Sequence, residues 1–100
     1  MGFILVGNPF LREKEFNREQ WIAGDSRIRG QMVNDLVEKK LLEGKSREEV
    51  TALLGTADVS NDVLIYTVDT GTRFLSDPWL YAFKIYFNSN DTVEYYFIID

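Results

Sequence analysis

The chain has 100 residues, of which 45% are hydrophobic, 27% charged and 14% aromatic. This fits one compact domain, too apolar for a disordered chain and too polar for a membrane-spanning one. The chain has no histidine and no cysteine, which excludes imidazole and thiol catalysis, thiolate metal sites and disulfide bonds. The net charge is −5, and residues 46–100 carry three basic against nine acidic residues. A nucleic-acid partner is therefore not expected.

Residues 1–25 are predicted to be an irregular lead-in to the domain. The apolar run Phe3–Val6 is too short to cross a bilayer, and it is interpreted either as a short edge strand, which we favour, or as the end of a processed targeting segment. Phe10, Phe16 and Trp21 are expected to anchor the lead-in, since each large ring gains about 2 kcal/mol from burial. The alternative is an arm that grips a partner.

A first helix is predicted from Ser26 to Leu42. Asp25 and Ser26 provide an N-terminal start, and Gly44 provides a stop in the left-handed conformation. Apolar residues recur along one broad side at helical spacing. They are Ile28, Met32, Val33, Leu36 and Val37.

A second helix begins at a capping box, in which Ser46 and Glu49 exchange side-chain and backbone hydrogen bonds. Gly55 ends this helix after about nine residues, a length that is stable only when it packs against other elements. Its apolar stripe consists of Val50, Leu53 and Leu54.

After Gly55 the pattern changes to strands, which are predicted at Val63–Val68, Tyr81–Phe87 and Val93–Ile99. The turn-forming cluster Asn88–Asp91 makes the last two an antiparallel hairpin, and a loop over residues 69–80 joins the first two. The expected fold is α+β, a two-layer sandwich (ααβββ) over residues 26–100. In it, two helices pack on a three-stranded antiparallel meander.

The alternation of side chains predicts which sheet face meets the helices. The predicted core rows are Tyr81, Phe83, Ile85 and Phe87 on one strand, and Val93, Tyr95, Phe97 and Ile99 on the other. The predicted outer face carries the first candidate protein-binding set, which consists of Lys84, Tyr86, Glu94, Tyr96 and Ile98. Rigid aromatic area with a polar rim is enriched at protein interfaces. The alternative is an ordinary solvated sheet with a tyrosine pair and a Lys84–Glu94 pair.

The loop over residues 69–80 is the second candidate surface, because Phe74, Leu75 and Trp79 on one connection suit a docking finger. The alternative is that these side chains cover the end of the core.

Polar clusters give no metal or cofactor site. Asp58, Asn61 and Asp62 precede the first strand, and Asn88, Asn90 and Asp91 fill the hairpin turn. Neither cluster has the spacing of a calcium loop, and such residues are common in turns. Arg29 lies in the apolar stripe of the first helix and is interpreted as structural, with Asp25 as the nearest carboxylate in sequence.

A family resemblance emerges from the segment Gly44–Val50 followed by Leu53-Leu54-Gly55, then Tyr66, Phe83–Phe87 and Val93. This pattern resembles the SmpA/OmlA (BamE-like) domain of outer-membrane assembly lipoproteins, whose helix-helix-sheet design is shared with β-lactamase inhibitor proteins. The chain has Ala57 where the family usually has proline, and it lacks the family's lipidated cysteine. The resemblance implies a location in the periplasm or cell envelope and a role in assembling or maintaining outer-membrane components.

We therefore expect a non-catalytic protein-binding module whose partner is another protein. Membrane contact is expected only by association, through a lipid anchor outside the given chain. An exposed sheet edge leaves a homodimer open. The alternative function is an inhibitor or immunity-type protein that binds an enzyme through its sheet face or the 69–80 loop, and a small enzyme is the third hypothesis.

Overall fold

The computed structural model describes residues 14–74 and 77–99, with side chains described for residues 14–69 and 80–99. The predicted strand at Phe3–Val6 and the predicted anchor Phe10 lie outside the described residues. The elements, in chain order, are the helices α1 (Arg18–Ala23), α2 (Ser26–Glu38) and α3 (Arg47–Leu54), followed by the strands β1 (Val59–Ser60), β2 (Val63–Phe74), β3 (Asp77–Phe87) and β4 (Val93–Ile99).

The four strands form one antiparallel sheet in the order β1-β2-β3-β4. The helices precede the strands, so the predicted α+β architecture is confirmed. Two short elements, α1 and β1, come in addition to the predicted set. No helix among the described residues is long and apolar enough to cross a membrane.

The predicted loop over residues 69–80 is wrong for the described backbone, because β2 continues to Phe74 and β3 already begins at Asp77. Arg73 pairs with Pro78, and Phe74 pairs with Asp77. A register shift between Asp69 and Arg73 absorbs the irregularity, so β2 continues past the predicted end at Val68.

The helix α2 starts where the sequence predicts. The Asp25 side chain accepts hydrogen bonds from the backbone N–H groups of Arg27 and Ile28, as expected of an N-cap. The helix ends at Glu38, four residues before the predicted end at Leu42. The reason lies at Lys40, which takes a left-handed conformation with φ of 55° and so interrupts the helical backbone.

The helix α3 confirms the capping box. The Ser46 hydroxyl accepts a hydrogen bond from the Glu49 N–H at 3.1 Å, and the Glu49 carboxylate accepts one from the Ser46 N–H at 2.9 Å. The Ser46 N–H lowers the pKa of the Glu49 carboxyl because it stabilises the charged form. At the other end, Gly55 has the expected positive φ of 77°.

The core lies between the helices and one face of the sheet. Its fully buried larger side chains include Trp21, Met32, Leu36, Leu42, Leu54, Leu64, Tyr66, Phe83, Ile85 and Ile98. Trp21 contacts the rings of Phe16, Tyr66 and Phe83, with centroids 5.8, 6.0 and 6.4 Å away. Trp21 and Phe16 thus anchor the lead-in to the core, as predicted.

The predicted face of β4 is wrong for most of the strand. On β3 the core row is as expected, since Tyr81, Phe83 and Ile85 are buried. On β4, however, Ile98 is fully buried and Tyr96 packs against the core. A bulge where Phe87 pairs with Val93 adds one residue to β4. A β-bulge of this kind reverses the alternation of the residues that follow.

Candidate functional site

The sheet face turned away from the helices, here called the outer face, is predominantly apolar. Its described side chains come from all four strands and alternate with the core residues. They are Val59, Val63, Ile65, Thr67, Leu80, Ala82, Lys84, Tyr86, Tyr95, Phe97 and Ile99. The same face also carries Asp69, which is 8% exposed and pairs with Leu80 at one end, so its charged residues are Lys84 and Asp69.

Three rings on the outer face form an aromatic stack, defined here as Tyr86, Tyr95 and Phe97. The centroids of Tyr86 and Tyr95 are 4.6 Å apart with the ring planes 13° from parallel. Phe97 lies 5.5 Å from Tyr86 and 6.1 Å from Tyr95. Such pairs contribute about 0.5–1.5 kcal/mol each beyond the area that they bury, so the stack is a preformed, rigid surface.

Much of the outer face remains open to solvent. Tyr95 is 49% exposed, Leu80 is 47% exposed and Val59 is 41% exposed, so exposed apolar side chains occur on β1, β3 and β4. Large contiguous apolar patches are unusual on monomeric proteins and mark interaction surfaces. The aromatic stack lies within this patch.

The predicted site residues do not share one face of the sheet. Lys84 and Tyr86 lie on the outer face, where Lys84 pairs with Phe97 instead of Glu94. Glu94 is exposed and lies at the bulge of β4. Tyr96 and Ile98 were expected on the outer face, and this placement is wrong, because both turn toward the core. The side chains of Phe74 and Trp79 lie outside the described residues.

Tyr95 and Phe97 are the members of the aromatic stack that the sequence analysis assigned to the core. The run Tyr95–Ile99 has five consecutive apolar or aromatic residues, so both of its faces look alike. The single polar residue Glu94 therefore determined the predicted alternation, and Glu94 lies at the bulge. The signal in the sequence was that both faces of this strand are apolar over Tyr95–Ile99, so either face could meet the core.

Tyr96 has a structural role on the core side of the sheet. Its hydroxyl donates a hydrogen bond to Glu43 Oε2 at 3.0 Å, and its ring contacts Phe83 edge-on with centroids 6.1 Å apart. Burial and the Glu43 carboxylate raise the pKa of Tyr96 to about 12, so its hydroxyl remains protonated at neutral pH.

Arg29 lies in a polar cluster between the helices and the sheet. Its guanidinium is 5.9 Å from the Trp21 ring centroid and 5.7 Å from that of Tyr66. Its carboxylate partner is Asp58, at 3.5 Å. The predicted partner Asp25 is wrong, because the Asp25 carboxylate caps α2 instead. The structural interpretation of Arg29 fits this geometry, since it joins α2 to the start of the sheet.

The two polar clusters considered for cation binding meet at one arginine. Arg47 donates to Asp91 Oδ1 at 3.0 Å, to the Asn61 carbonyl at 2.7 Å and to the Asp62 carbonyl at 3.2 Å. A guanidinium thus uses the oxygens that a metal ion would need. In the part of the chain with described side chains, no group of three acidic residues is arranged to hold a metal ion.

A shallow groove of about 320 Å³ on the helix side is lined by Arg18, Lys45, Glu49, Ala52 and Leu53. Arg18 donates to the Ala52 carbonyl at 2.7 Å, and the Glu49 carboxylate is part of the capping box. The groove's charged groups thus serve helix packing and capping, so the outer face is the stronger candidate site.

The chain has no significant match among models of protein families, curated proteins or solved structures.

Proposed function

We propose that this protein is a non-catalytic protein-binding module that binds its partner through the aromatic stack and the apolar residues around it. The observation that supports this function is a stack of three rings on an open sheet face, with Tyr95 half-exposed. Tyrosine is enriched at the energetic centres of protein interfaces. A preformed stack loses little side-chain entropy on binding.

The titratable groups with shifted pKa values favour a binding role over a catalytic one. The Tyr66 hydroxyl donates to the Gly55 carbonyl, the Tyr96 hydroxyl donates to Glu43, and the Glu49 carboxylate caps α3. Each of these groups has a structural partner, and burial makes the two tyrosines poorer acids than usual. A catalytic acid or base needs a pKa near the working pH.

A role in the bacterial cell envelope is part of the same proposal. It is supported by the sequence resemblance of Gly44–Gly55, Tyr66, Phe83–Phe87 and Val93 to outer-membrane assembly lipoproteins. Two of the matching features also serve the local structure: the capping box starts α3, and Gly55 ends it. The identity of the crosslinked partner tests the envelope role, whereas the position of the crosslink tests the binding face.

The binding face is tested by photo-crosslinking in cells of the source organism. The photoreactive residue benzoylphenylalanine replaces Tyr95 on the outer face or, as a matched control, Ile22 on α1. The two positions are 49% and 40% exposed, so they sample solvent to a similar degree. From position 95 we expect a discrete adduct with a different protein, distinguished by its mass from a crosslink between two copies of this chain, and from position 22 we expect none.

Competition shows whether the aromatic stack is responsible. An excess of the unlabelled protein is expected to remove the adduct, whereas an excess of the Tyr86→Ala/Tyr95→Ala variant is expected to leave it. An adduct only from position 22, or full competition by the variant, contradicts the proposed face. A partner in the envelope fraction supports the envelope role, and a single soluble enzyme that loses activity on binding supports the inhibitor function.

A further inference from the structure

The strand β4 forms one edge of the sheet and has a largely open side. Ser46 pairs with Thr92 on that side, and the Val93 N–H donates to the Lys45 carbonyl at 2.8 Å. Within residues 14–74 and 77–99, no other segment pairs with the open side of β4. Among the described residues, the backbone of Tyr95–Ile99 thus has strand pairing to β3 alone.

This part of β4 lacks the features that prevent edge pairing. Natural edge strands are protected by lysine, proline, bulges or very short length. Tyr95–Ile99 contains five uncharged residues without proline, and the bulge lies before it. Glu94 and residue 100, both acidic, flank the run. The unprotected stretch is long enough to pair with another strand.

We propose that two copies of this chain pair through β4 in antiparallel orientation, about a two-fold axis at Phe97. In this register, Phe97 lies opposite Phe97 of the second copy, and Tyr95 lies opposite Ile99 of the second copy. The paired stretch coincides with the uncharged run, so no charged residue is placed within it. It also ends before Val93, where Lys45 and Ser46 occupy the open side.

The opposite edge and the outer face fit a second copy less well. The other edge strand, β1, has two residues. An open chain of copies, in which β4 of each copy pairs with β1 of the next, would therefore form few backbone hydrogen bonds at each contact. Pairing of β4 with itself closes after two copies, as is usual for symmetric dimers. Contact between two outer faces would bury Lys84 and Asp69 of both copies, and removing these charges from water opposes association.

The inference goes beyond the proposed function, because it uses the backbone edge of β4 and requires no other protein. Antiparallel pairing keeps equivalent faces on the same side of the joined sheet. The aromatic stacks of the two copies therefore lie next to each other on one eight-stranded sheet. A short paired stretch makes a small interface, so the dimer is expected to dissociate on dilution.

Light scattering during size-exclusion chromatography, over a range of protein concentrations, tests the dimer. The mass is expected to rise from 11.6 kDa toward twice that value. Higher salt should favour the dimer by screening the repulsion between two copies of net charge −5.

Phe97→Lys places two lysines opposite each other and is expected to abolish the dimer. Leu80→Lys, at a 47% exposed position on the same face, is the matched control and is expected to retain it.

Disulfide formation tests the register without depending on the lysine variants. The chain has no cysteine, so each single replacement gives one thiol. Directly opposite residues have Cα atoms about 4.5–5.5 Å apart, which suits a disulfide bond. Mild oxidation is expected to link Phe97→Cys into a covalent dimer and to leave Leu80→Cys unlinked.

Three outcomes overturn the inference. A mass of 11.6 kDa at every concentration excludes the dimer, and loss of the dimer in Leu80→Lys indicates contact between outer faces instead. Equal linking of Phe97→Cys and Leu80→Cys contradicts the β4 register. A monomer that still forms the Tyr95 photo-adduct contradicts this inference alone, whereas a dimer without any adduct contradicts only the proposed function.

Discussion

Tyr66 connects the helix layer to the sheet through a single side chain. Its hydroxyl donates to the Gly55 carbonyl at 2.7 Å, which ties β2 to the end of α3. Its ring contacts Trp21 edge-on, and the Arg29 guanidinium lies 5.7 Å from its centroid. Burial raises the pKa of Tyr66 to about 12, because the phenolate form would lose its hydration.

The raised pKa of Tyr66 predicts a loss of stability in alkali. Below pH 10, tyrosine is neutral in both the folded and the unfolded chain, and the stabilisation is complete. Between pH 10 and 12 the unfolded chain loses its proton first, so the free energy of unfolding falls as the pH rises. Tyr96 acts in the same direction. Urea titrations over this pH range measure the effect.

Tyr66→Phe tests the contribution of this hydroxyl. The variant is expected to lose about 1 kcal/mol of stability at neutral pH, because the Gly55 carbonyl loses its donor. Its stability should also fall less steeply between pH 10 and 12 than that of the unaltered protein. Tyr95→Phe, on the exposed outer face, is the control and should leave both properties unchanged. Identical alkaline profiles for the Tyr66 variant and the unaltered protein contradict this assignment.

The end of α3 depends on the backbone of Gly55. Its φ of 77° and ψ of −167° lie in a region that essentially only glycine adopts, and this backbone costs any other residue about 1–3 kcal/mol. A Cβ atom at this position would lie 3.1 Å from Cγ1 of Ile22 on α1. The glycine therefore allows both the helix stop and the close approach of α1.

Gly55→Val is expected to destabilise the fold by more than the backbone strain alone. Gly44 provides a matched comparison, because its φ is 74° and a Cβ there would meet nothing within 4 Å. Gly44→Val measures the cost of a positive φ in open space, and the additional loss in Gly55→Val measures the stricter backbone of Gly55 together with the contact with Ile22. Thermal and urea unfolding of both variants give the difference. Equal losses would show that neither the backbone of Gly55 nor the contact with Ile22 adds to the cost.

Across the molecule as a whole, Arg47 joins the start of α3 to two turns of the sheet, the β1–β2 turn and the β3–β4 turn. Its three guanidinium hydrogen bonds reach Asn61, Asp62 and Asp91. The guanidinium carbon also lies 4.4 Å from the ring centroid of Phe87, within the range of a cation–π contact. One side chain thereby holds the helix layer against the end of the sheet.

Arg47→Ala is expected to reduce the free energy of unfolding by about 1.5–3 kcal/mol, the range for hydrogen bonds to charged groups. Arg18→Ala is the matched control, because Arg18 is exposed and the structure gives its side chain one hydrogen bond, to the Ala52 carbonyl. A smaller loss is expected there. Urea unfolding measures both, and similar losses in the two variants would refute the linking role of Arg47.

Local signals were sufficient to predict the helix starts and most strands. The Asp25 cap, the capping box of Ser46 and Glu49, and the stop at Gly55 all act within one or two turns of the chain. The hairpin between β3 and β4 follows from its turn residues. The buried stripe of α2 follows from spacing alone, and Met32, Val33, Leu36 and Val37 are all buried.

Other features required contacts between residues that are far apart in sequence. Arg29 pairs with Asp58, which is 29 positions away, and Asp25 is the nearer carboxylate in sequence. The extension of β2 to Phe74 depends on pairing with β3 across a register shift. The six-residue helix α1 is too short to be stable alone, and burial of Trp21 accounts for its position.

Local spacing and the burial of one face are enough to predict the order of α2, α3 and the three longer strands, the caps of these helices, the β3–β4 turn and the core row of β3. Which rings of β4 meet solvent depends on the pairing of β4 with β3. In a run without charged residues, the sequence does not show which face of the strand meets the core. One additional residue at the bulge moves every side chain after it to the opposite face of the sheet. Tyr95 and Phe97 therefore join Tyr86 on the outer face, while Tyr96 and Ile98 pack against the core.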